Sequence, residues 1–288
     1  MRFTTFGRTS EEISAIGFGG MPLSIQGRPP EDAGRRVINA AIDAGMTLID
    51  TADVYCMDDR DIGHNERLIA SAIAGRPDRE QLKVATKAGL RRPKGAWTSD
   101  ASPEHIREAC EQSLRSLGVE KIWLYQLHAP DRNVPFEKSV EAFAALQNEG
   151  KFTHFGLSNV SVEQIERAAQ IIDVQSVQNR LNPYFRESLD VVRYCAEQSV
   201  TFLAYSPVGG GRLAKKLPQF DVLIELAQKH DASVHAIVLA WVRAQGKTVV
   251  PIPAATKAAN AVDSAKSVDV RLSEDDLLAI DESEFSRA

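Results

Sequence analysis

Eight short apolar runs alternate with longer amphipathic segments, and this alternation restricts the fold more than any other feature. Each run has the length of a buried strand, and each segment between runs has the length and apolar spacing of a helix. The pattern therefore predicts repeated βα units around a parallel sheet. The runs are Ile13–Phe18, Thr47–Ile49, Leu82–Thr86, Ile122–Leu127, Phe152–Gly156, Val174–Gln178, Thr201–Ala204 and Thr248–Ile252.

The helix-length segments have recognisable ends. Ser102 precedes Pro103 at the start of one segment, as a capping residue precedes a first-turn proline. Ser161 and Gln164 have the spacing of a capping box at the start of another. The predicted helices cover residues 31–44, 65–74, 103–117, 136–149, 161–171, 186–198 and 220–245.

Eight such units, without a linker rich in Gly, Pro or Ser, favour a single (β/α)8 TIM barrel domain over residues 1–288. An open doubly wound sheet is the alternative, but it would normally have a G-x-G-x-x-G turn before a helix. Here GFGG is followed by Met21 and Pro22. We also expect an N-terminal β-hairpin that closes the bottom of the barrel, and additional C-terminal helices at 257–266 and 273–284.

Composition excludes several classes of function. The net charge is −5, and the 34 basic and 39 acidic residues are interspersed, which predicts no nucleic-acid or membrane surface. No apolar stretch approaches the roughly 18 residues of a membrane span, and the N-terminus has no apolar signal core, so we expect a cytoplasmic protein. Three dispersed cysteines predict reduced thiols and no metal. We expect a monomer, because no exposed heptad is apparent.

Polar residues stand where the predicted strands end. Asp50, Lys87 and His128 close the second, third and fourth runs, and Tyr55 follows Asp50 by five residues. In a barrel, such strand ends meet at one mouth, where active sites are built. Polar residues also end the next three strands, at Ser158, Asn159, Gln178, Asn179, Tyr205 and Ser206.

Four of these residues are chemically matched for proton transfer. A tyrosine, with a reference pKa of about 10, can donate a proton only if a cation stabilises the phenolate. Lys87 is a candidate for that cation, Asp50 for the carboxylate that keeps Lys87 charged, and His128 for a group that orients a carbonyl. Each residue alone has a structural explanation, such as a turn cap or a core histidine. Together they predict a proton-transfer site.

Several motifs, in this order, resemble those of the aldo-keto reductase superfamily, and the resemblance covers essentially the whole chain. They are LIDTADVY, TKAG, LHAPD, FGLSNV, VQNRLNP, AYSPVGGG and IPAATKAAN. The resemblance implies reduction of a small aldehyde or ketone by hydride from C4 of a nicotinamide cofactor. It implies that Tyr55 is the general acid, with its pKa lowered by Lys87, that Asp50 holds Lys87, and that His128 hydrogen-bonds the carbonyl oxygen.

The same resemblance implies the cofactor contacts. Ser158, Asn159 and Gln178 would bind the nicotinamide carboxamide, and Tyr205 would stack on the ring. The glycines before Arg212 would let backbone N–H groups approach a pyrophosphate, although such a run can also be only a flexible loop. The implied contacts are Gly19, Gly20, Met21, Asp50, Ser158, Asn159, Gln178, Tyr205, Ser206, Pro207, Val208, Gly209, Gly211, Arg212, Ala254, Thr256, Lys257 and Asn260.

Two departures from the family pattern affect specificity. Asn260 stands where many relatives have an arginine for the cofactor's 2′-phosphate, and Lys257 is a candidate replacement, so we expect NADPH with NADH as the alternative. Asp58, Asp59 and Asp61 put negative charge in the loop after Tyr55. They would either disfavour anionic substrates or only keep the loop soluble. The short C-terminus predicts a wide, shallow site for small carbonyl compounds.

Two other functions stay open at this point. Potassium-channel β-subunits have a similar fold and bind nicotinamide cofactor while serving mainly as partners; for such a role we would expect an added N-terminal segment. A barrel lyase would use Lys87 as a Schiff-base amine, and borohydride would trap its adduct. Ser158, Asn159, Gln178 and Tyr205 would have no evident role in the lyase.

Overall fold

Eight parallel strands form the central sheet of the computed structural model, which describes residues 1–286. In that part of the chain the strands are β1 (Phe3–Thr5), β2 (Glu12–Ser14), β3 (Phe18–Gly19), β4 (Leu48–Asp50), β5 (Lys83–Ala88), β6 (Leu90–Arg91), β7 (Thr98–Ser99), β8 (Ile122–Leu127), β9 (Phe152–Ser158), β10 (Val174–Arg180), β11 (Thr201–Tyr205) and β12 (Val249–Pro251). The sheet has the order β3-β4-β5-β8-β9-β10-β11-β12, whereas β1 pairs with β2 and β6 with β7 in antiparallel hairpins.

Hydrogen bonds join the first and last strands of the sheet. The N–H of Gly17 donates to the carbonyl of Pro251, and the N–H of Gly19 to that of Pro253, both at 2.9 Å. A Cβ atom on Gly19 would lie 2.9 Å from the carbonyl oxygen of Ile252, so this close approach requires glycine. The closure confirms the predicted (β/α)8 barrel.

The N-terminal hairpin packs into the barrel, as predicted. Phe6 and Ile13 are fully buried, in one cluster with barrel residues that include Leu48 and Leu124. Removing these two side chains from water stabilises the fold by about 1.5–3 kcal/mol each. The hairpin therefore closes the end of the barrel where the strands begin.

Helices connect the strands and surround the sheet. Those in residues 1–286 are α1 (Glu31–Asp43), α2 (His64–Ile73), α3 (Pro103–Leu117), α4 (Phe136–Asn148), α5 (Val162–Ala169), α6 (Leu189–Gln198), α7 (Gly211–Lys216), α8 (Asp221–Lys229), α9 (Val234–Ala244), α10 (Ala258–Lys266) and α11 (Glu274–Glu282). Ser102 and Ser161 cap α3 and α5 as predicted. The additional C-terminal helices, α10 and α11, are confirmed. Within the same residues, no helix has the length and apolar character that crossing a membrane requires.

Two predicted elements are wrong in detail. The segment 220–245 is not one helix, because Asp231 has a left-handed φ of 46° and the Ser233 side chain caps a new helix, α9. The apolar run Ile13–Phe18 is not one strand either. Its start belongs to β2, and the Ser14 hydroxyl donates to the carbonyl of Ile16 at 2.7 Å, within the turn that separates β2 from β3.

Candidate active site

A buried lysine joins three polar groups at the mouth of the barrel. The ammonium of Lys87, in β5, donates to Oδ2 of Asp50 and to the carbonyl of Thr51, both at 2.7 Å, and to Oη of Tyr55 at 3.0 Å. Its side chain is fully buried. The structure thus brings together three of the four predicted catalytic residues, and the fourth, His128, stands beside Tyr55. We call Asp50, Tyr55, Lys87 and His128 the mouth set.

Two glutamines hold the other oxygen of Asp50. Nε2 of Gln178 donates to Oδ1 at 2.8 Å, and Nε2 of Gln126 reaches the same atom at 3.4 Å. Gln178 was predicted as a cofactor contact, and the structure shows that it also fixes Asp50. Gln126 was missed. A signal existed, because Gln126 precedes His128 by two residues, and side chains two apart on a strand face the same side.

Burial and charge set the ionisation states of the mouth set. Burial alone would lower the pKa of Lys87, but Asp50 and Tyr55 raise it above its usual value, so the ammonium stays charged. Burial raises the pKa of Tyr55 above its usual value, and the Lys87 charge opposes this rise without cancelling it. Lys87 thus acts on the Tyr55 pKa in the predicted direction, and burial is the larger effect. The phenol is protonated near neutral pH, and Lys87 stands ready to stabilise the phenolate.

His128 has unused hydrogen-bonding capacity. Its Nδ1 is buried and has no partner in the described chain, and its ring lies 5.6 Å from that of Tyr55, nearly edge-on at 80°. Burial, and then the charge of Lys87, hold the pKa of His128 well below its usual value. The imidazole is therefore neutral near neutral pH, and it has one N–H group to donate.

A second network links the ends of three strands. Oη of Tyr205 donates to Oδ1 of Asn159 at 2.9 Å. Nδ2 of Asn159 donates to the carbonyl of His128 at 3.0 Å and to Oγ of Ser158 at 3.1 Å. Asn159 has a left-handed φ of 58°, a conformation that asparagine tolerates better than most residues. The network therefore ties the predicted nicotinamide contacts to the backbone of the mouth set.

These groups line a cavity of about 810 Å³ at the barrel mouth, a volume within the range of pockets that hold cofactors and small ligands. We call it the mouth cavity. The predicted site residues that line it are Gly19, Met21, Asp50, Tyr55, His128, Ser158, Asn159, Gln178, Tyr205, Ser206, Pro207, Val208, Gly211 and Ala254.

Other predicted residues do not line the mouth cavity. Lys87 lies behind Tyr55, and Gly20 donates its N–H to the carbonyl of Asp50 at 2.8 Å, within the first loop. Gly209 lies against Tyr184. The remaining predicted cofactor contacts lie near the starts of two helices. Arg212 is the second residue of α7. Three exposed residues lie around the start of α10, namely Thr256, Lys257 and Asn260. Their roles stay predictions.

The cavity also has walls that the predicted site did not include. Trp97, from the loop between β6 and β7, is about half exposed, and its ring lies 6.4 Å from that of Tyr55. Arg180, at the end of β10, was missed although it follows Gln178 by two residues on the same strand. That spacing was the available signal, because alternate residues of a strand share a face.

Comparisons with known proteins agree with the fold. A model of the aldo/keto reductase family matches residues 15–284. A probable aldo-keto reductase 1 of Glycine max is 34% identical over an alignment 299 residues long, gaps included, which covers 93% of this chain and 85% of the relative. Two solved structures are each 28% identical and cover 97% of this chain and 94% of their own. They are a glycerol dehydrogenase from Gluconobacter oxydans, with a TM-score of 0.85, and an aldo-keto reductase from Klebsiella pneumoniae in complex with NADP and acetate, with a TM-score of 0.81.

Proposed function

Since the chain belongs to the aldo-keto reductase family, we propose that this oxidoreductase reduces small aldehydes or ketones to alcohols with NADPH. The observation that carries the proposal is the Lys87 ammonium between Asp50 and Tyr55, with Tyr55 on the wall of the mouth cavity. The protein thus has a proton donor and the charge that stabilises its conjugate base in one pocket.

The residues at the mouth fit a nicotinamide carboxamide, which needs one donor and one acceptor. Ser158 accepts a hydrogen bond from Asn159, and its own hydroxyl proton remains for a ligand. Gln178 uses its amide N–H on Asp50, and its Oε1 remains as an acceptor. The bound cofactor would supply hydride from C4 to the carbonyl carbon. We also propose that Lys257 contacts the 2′-phosphate of NADPH, because it is an exposed cation at the start of α10.

The chain's own residues would handle the proton. Tyr55 Oη would transfer its proton to the carbonyl oxygen as that oxygen gains the electron pair of the carbonyl bond. Lys87 would stabilise the phenolate that remains, and Asp50 would keep Lys87 in place through its 2.7 Å contact. The neutral His128 would donate a hydrogen bond to the same oxygen and so orient the carbonyl. The reverse sequence would oxidise an alcohol.

We further propose that residues 1–288, of which the last two lie outside the described part, form one domain that acts as a monomer. Sedimentation at working concentration would measure the oligomeric state. A titration of the purified protein with NADPH and NADH, followed by fluorescence, would test the cofactor. Loss of NADPH absorbance with a panel of small aldehydes and ketones would then test the reaction. Failure to bind either cofactor would contradict the proposed function.

A further inference from the structure

The mouth cavity has an unbalanced positive charge. In the described chain, Asp50 and Arg180 are the ionised residues that line it. His128 also lines the cavity, but burial keeps its imidazole neutral. The carboxylate of Asp50 is paired with Lys87 at 2.7 Å. Within residues 1–286, Arg180 is exposed and its guanidinium stacks on Phe185, without an ion pair or hydrogen bond of its own. The cavity therefore presents one unpaired cation.

Stacking holds that cation in place. Cζ of Arg180 lies 3.6 Å from the ring centroid of Phe185. Backbone hydrogen bonds in both directions between Asn182 and Phe185, at 3.1 and 3.0 Å, fix the turn that carries the ring. The backbone of Arg180 itself is fixed because it pairs with Tyr205 of the neighbouring strand. A guanidinium held by its face keeps its N–H groups free at the edge, where they match a carboxylate.

We propose that Arg180 makes the site selective for carbonyl substrates that also carry a carboxylate. This inference rests on the proposed function, since it adds a second contact to a substrate whose carbonyl lies at Tyr55 and His128. Arg180 lines the same cavity as those two residues, and the proposal places the carboxylate of the substrate against it. Arg180 would then act on substrate choice, with no part in the transfer of the proton or hydride.

The acidic loop after Tyr55 does not oppose this charge. Asp58 pairs with Arg60 at 2.6 Å, and Asp61 with Arg28 at 2.5 Å. None of the three loop aspartates, Asp59 included, lines the mouth cavity. The expectation that they disfavour anionic substrates is therefore unsupported, and their position agrees with a role in loop solubility.

The test compares two aldehydes that differ in charge and little in size, 4-formylbenzoate and 4-formylbenzamide, with NADPH as cofactor. The wild-type protein should favour the carboxylate. In the Arg180→Gln variant, kcat/KM for 4-formylbenzoate should fall by about 10- to 100-fold, as expected for loss of a charge-assisted hydrogen bond. The loss should be mainly in KM, whereas the amide should change by no more than about twofold.

Two further variants separate charge from geometry. Arg180→Lys keeps the charge without the planar fork, so it should restore part of the selectivity. Arg167 is a matched control, because its Cζ also lies over an aromatic ring, 5.5 Å from that of Phe136, but it does not line the mouth cavity. Arg167→Gln should leave both aldehydes unaffected. Added salt should weaken the preference of the wild-type protein for the carboxylate.

A phosphate of the cofactor is the other oxyanion that Arg180 can contact. In that case Arg180→Gln would weaken NADPH binding and slow both aldehydes equally, which would overturn the proposal. Equal kcat/KM for the two aldehydes in the wild-type protein would also overturn it. If neither aldehyde reacts, calorimetric titration of the NADPH-loaded protein with benzoate and benzamide still decides, because only benzoate binding should depend on Arg180. A failed reaction with a retained benzoate preference would count against the proposed reductase alone.

Discussion

The two ends of the barrel carry nearly the same kinds of side chain, although only one end is a candidate active site. At the closed end, the carboxylate of Glu11 is hydrogen-bonded to Lys83 at 2.5 Å, Trp123 at 2.9 Å and His154 at 2.6 Å. We call these four residues the floor set. Like the mouth set, it has a carboxylate, a lysine, a histidine and an aromatic residue that can donate a hydrogen bond. The two lysines, Lys83 and Lys87, belong to the same strand.

The two sets differ in whether their hydrogen-bonding groups are already used. Burial alone would raise the pKa of Glu11, but hydrogen bonds from Lys83, His154 and Trp123 lower it to about 2. The carboxylate of the floor set is thus saturated by its own neighbours. In the mouth set, His128 keeps a buried nitrogen without a partner in the described chain, and Tyr55 lines a large cavity. Residue types therefore do not define an active site. Hydrogen-bonding groups that have no partner and lie beside an open cavity do.

The largest effect that we predict is a difference in activity between variants of the two aromatic donors, Tyr55 of the mouth set and Trp123 of the floor set. Tyr55→Phe should lower kcat by about 10²- to 10⁴-fold, because the general acid is lost. NADPH affinity should be retained, since the phenyl ring still fills the space. Trp123→Phe removes the matching donor of the floor set and should leave kcat within about twofold of wild type. Steady-state rates and fluorescence titration check this, and unchanged turnover in Tyr55→Phe would remove its assignment as general acid.

A matched pair of lysine variants would compare the stability of the two ends. Lys87→Met leaves Asp50 buried without its cation and should cost about 3 kcal/mol of unfolding free energy. Lys83→Met should cost only up to about 1 kcal/mol, because its ion pair with Glu11 is partly exposed to solvent. Urea unfolding measures both values. Equal losses would mean that burial does not distinguish the two ion pairs.

Acid should destabilise the floor set through Glu11. The pKa of Glu11 in the folded protein, about 2, lies below its usual value of 4.5. This carboxylate therefore contributes stability that is fully present above pH 4.5 and is lost as the pH falls toward 2. Because Glu11 is partly exposed, we expect a contribution of about 1–2 kcal/mol. In the Glu11→Gln variant, the free energy of unfolding should depend less on pH between pH 5 and pH 3. An unchanged pH dependence would assign the acid sensitivity to other groups.

The smallest predicted effect concerns the glutamines that hold Asp50. The 3.4 Å contact from Gln126 is long for a hydrogen bond, whereas the 2.8 Å contact from Gln178 is not. Gln126→Met should therefore change kcat/KM by about twofold, and Gln178→Met by about tenfold. A larger loss in Gln126→Met than in Gln178→Met would reverse this order of importance.

Local patterns predicted much of the fold and of the site. The apolar runs placed most strands within two or three residues, and Ser102 and Ser161 cap the helices that they were expected to cap. The break at Asp231 was missed because apolar spacing continues through the segment 220–245, while the left-handed residue there leaves no mark in that spacing. Arg180 was missed because an arginine at a strand end is normally solvated, although its two-residue spacing from Gln178 indicated a shared face.

The sequence by itself determined the alternation of strands and helices and the residues at each strand end, since both follow from short-range periodicity. The tertiary structure alone decided which polar clusters have unused groups. Lys87 and Glu11 meet their partners across 32 to 143 positions of chain. The raised pKa of Tyr55 likewise follows from burial by distant segments. Desolvation and pairing are properties of the packed surroundings, so a residue's own neighbours in sequence do not specify them.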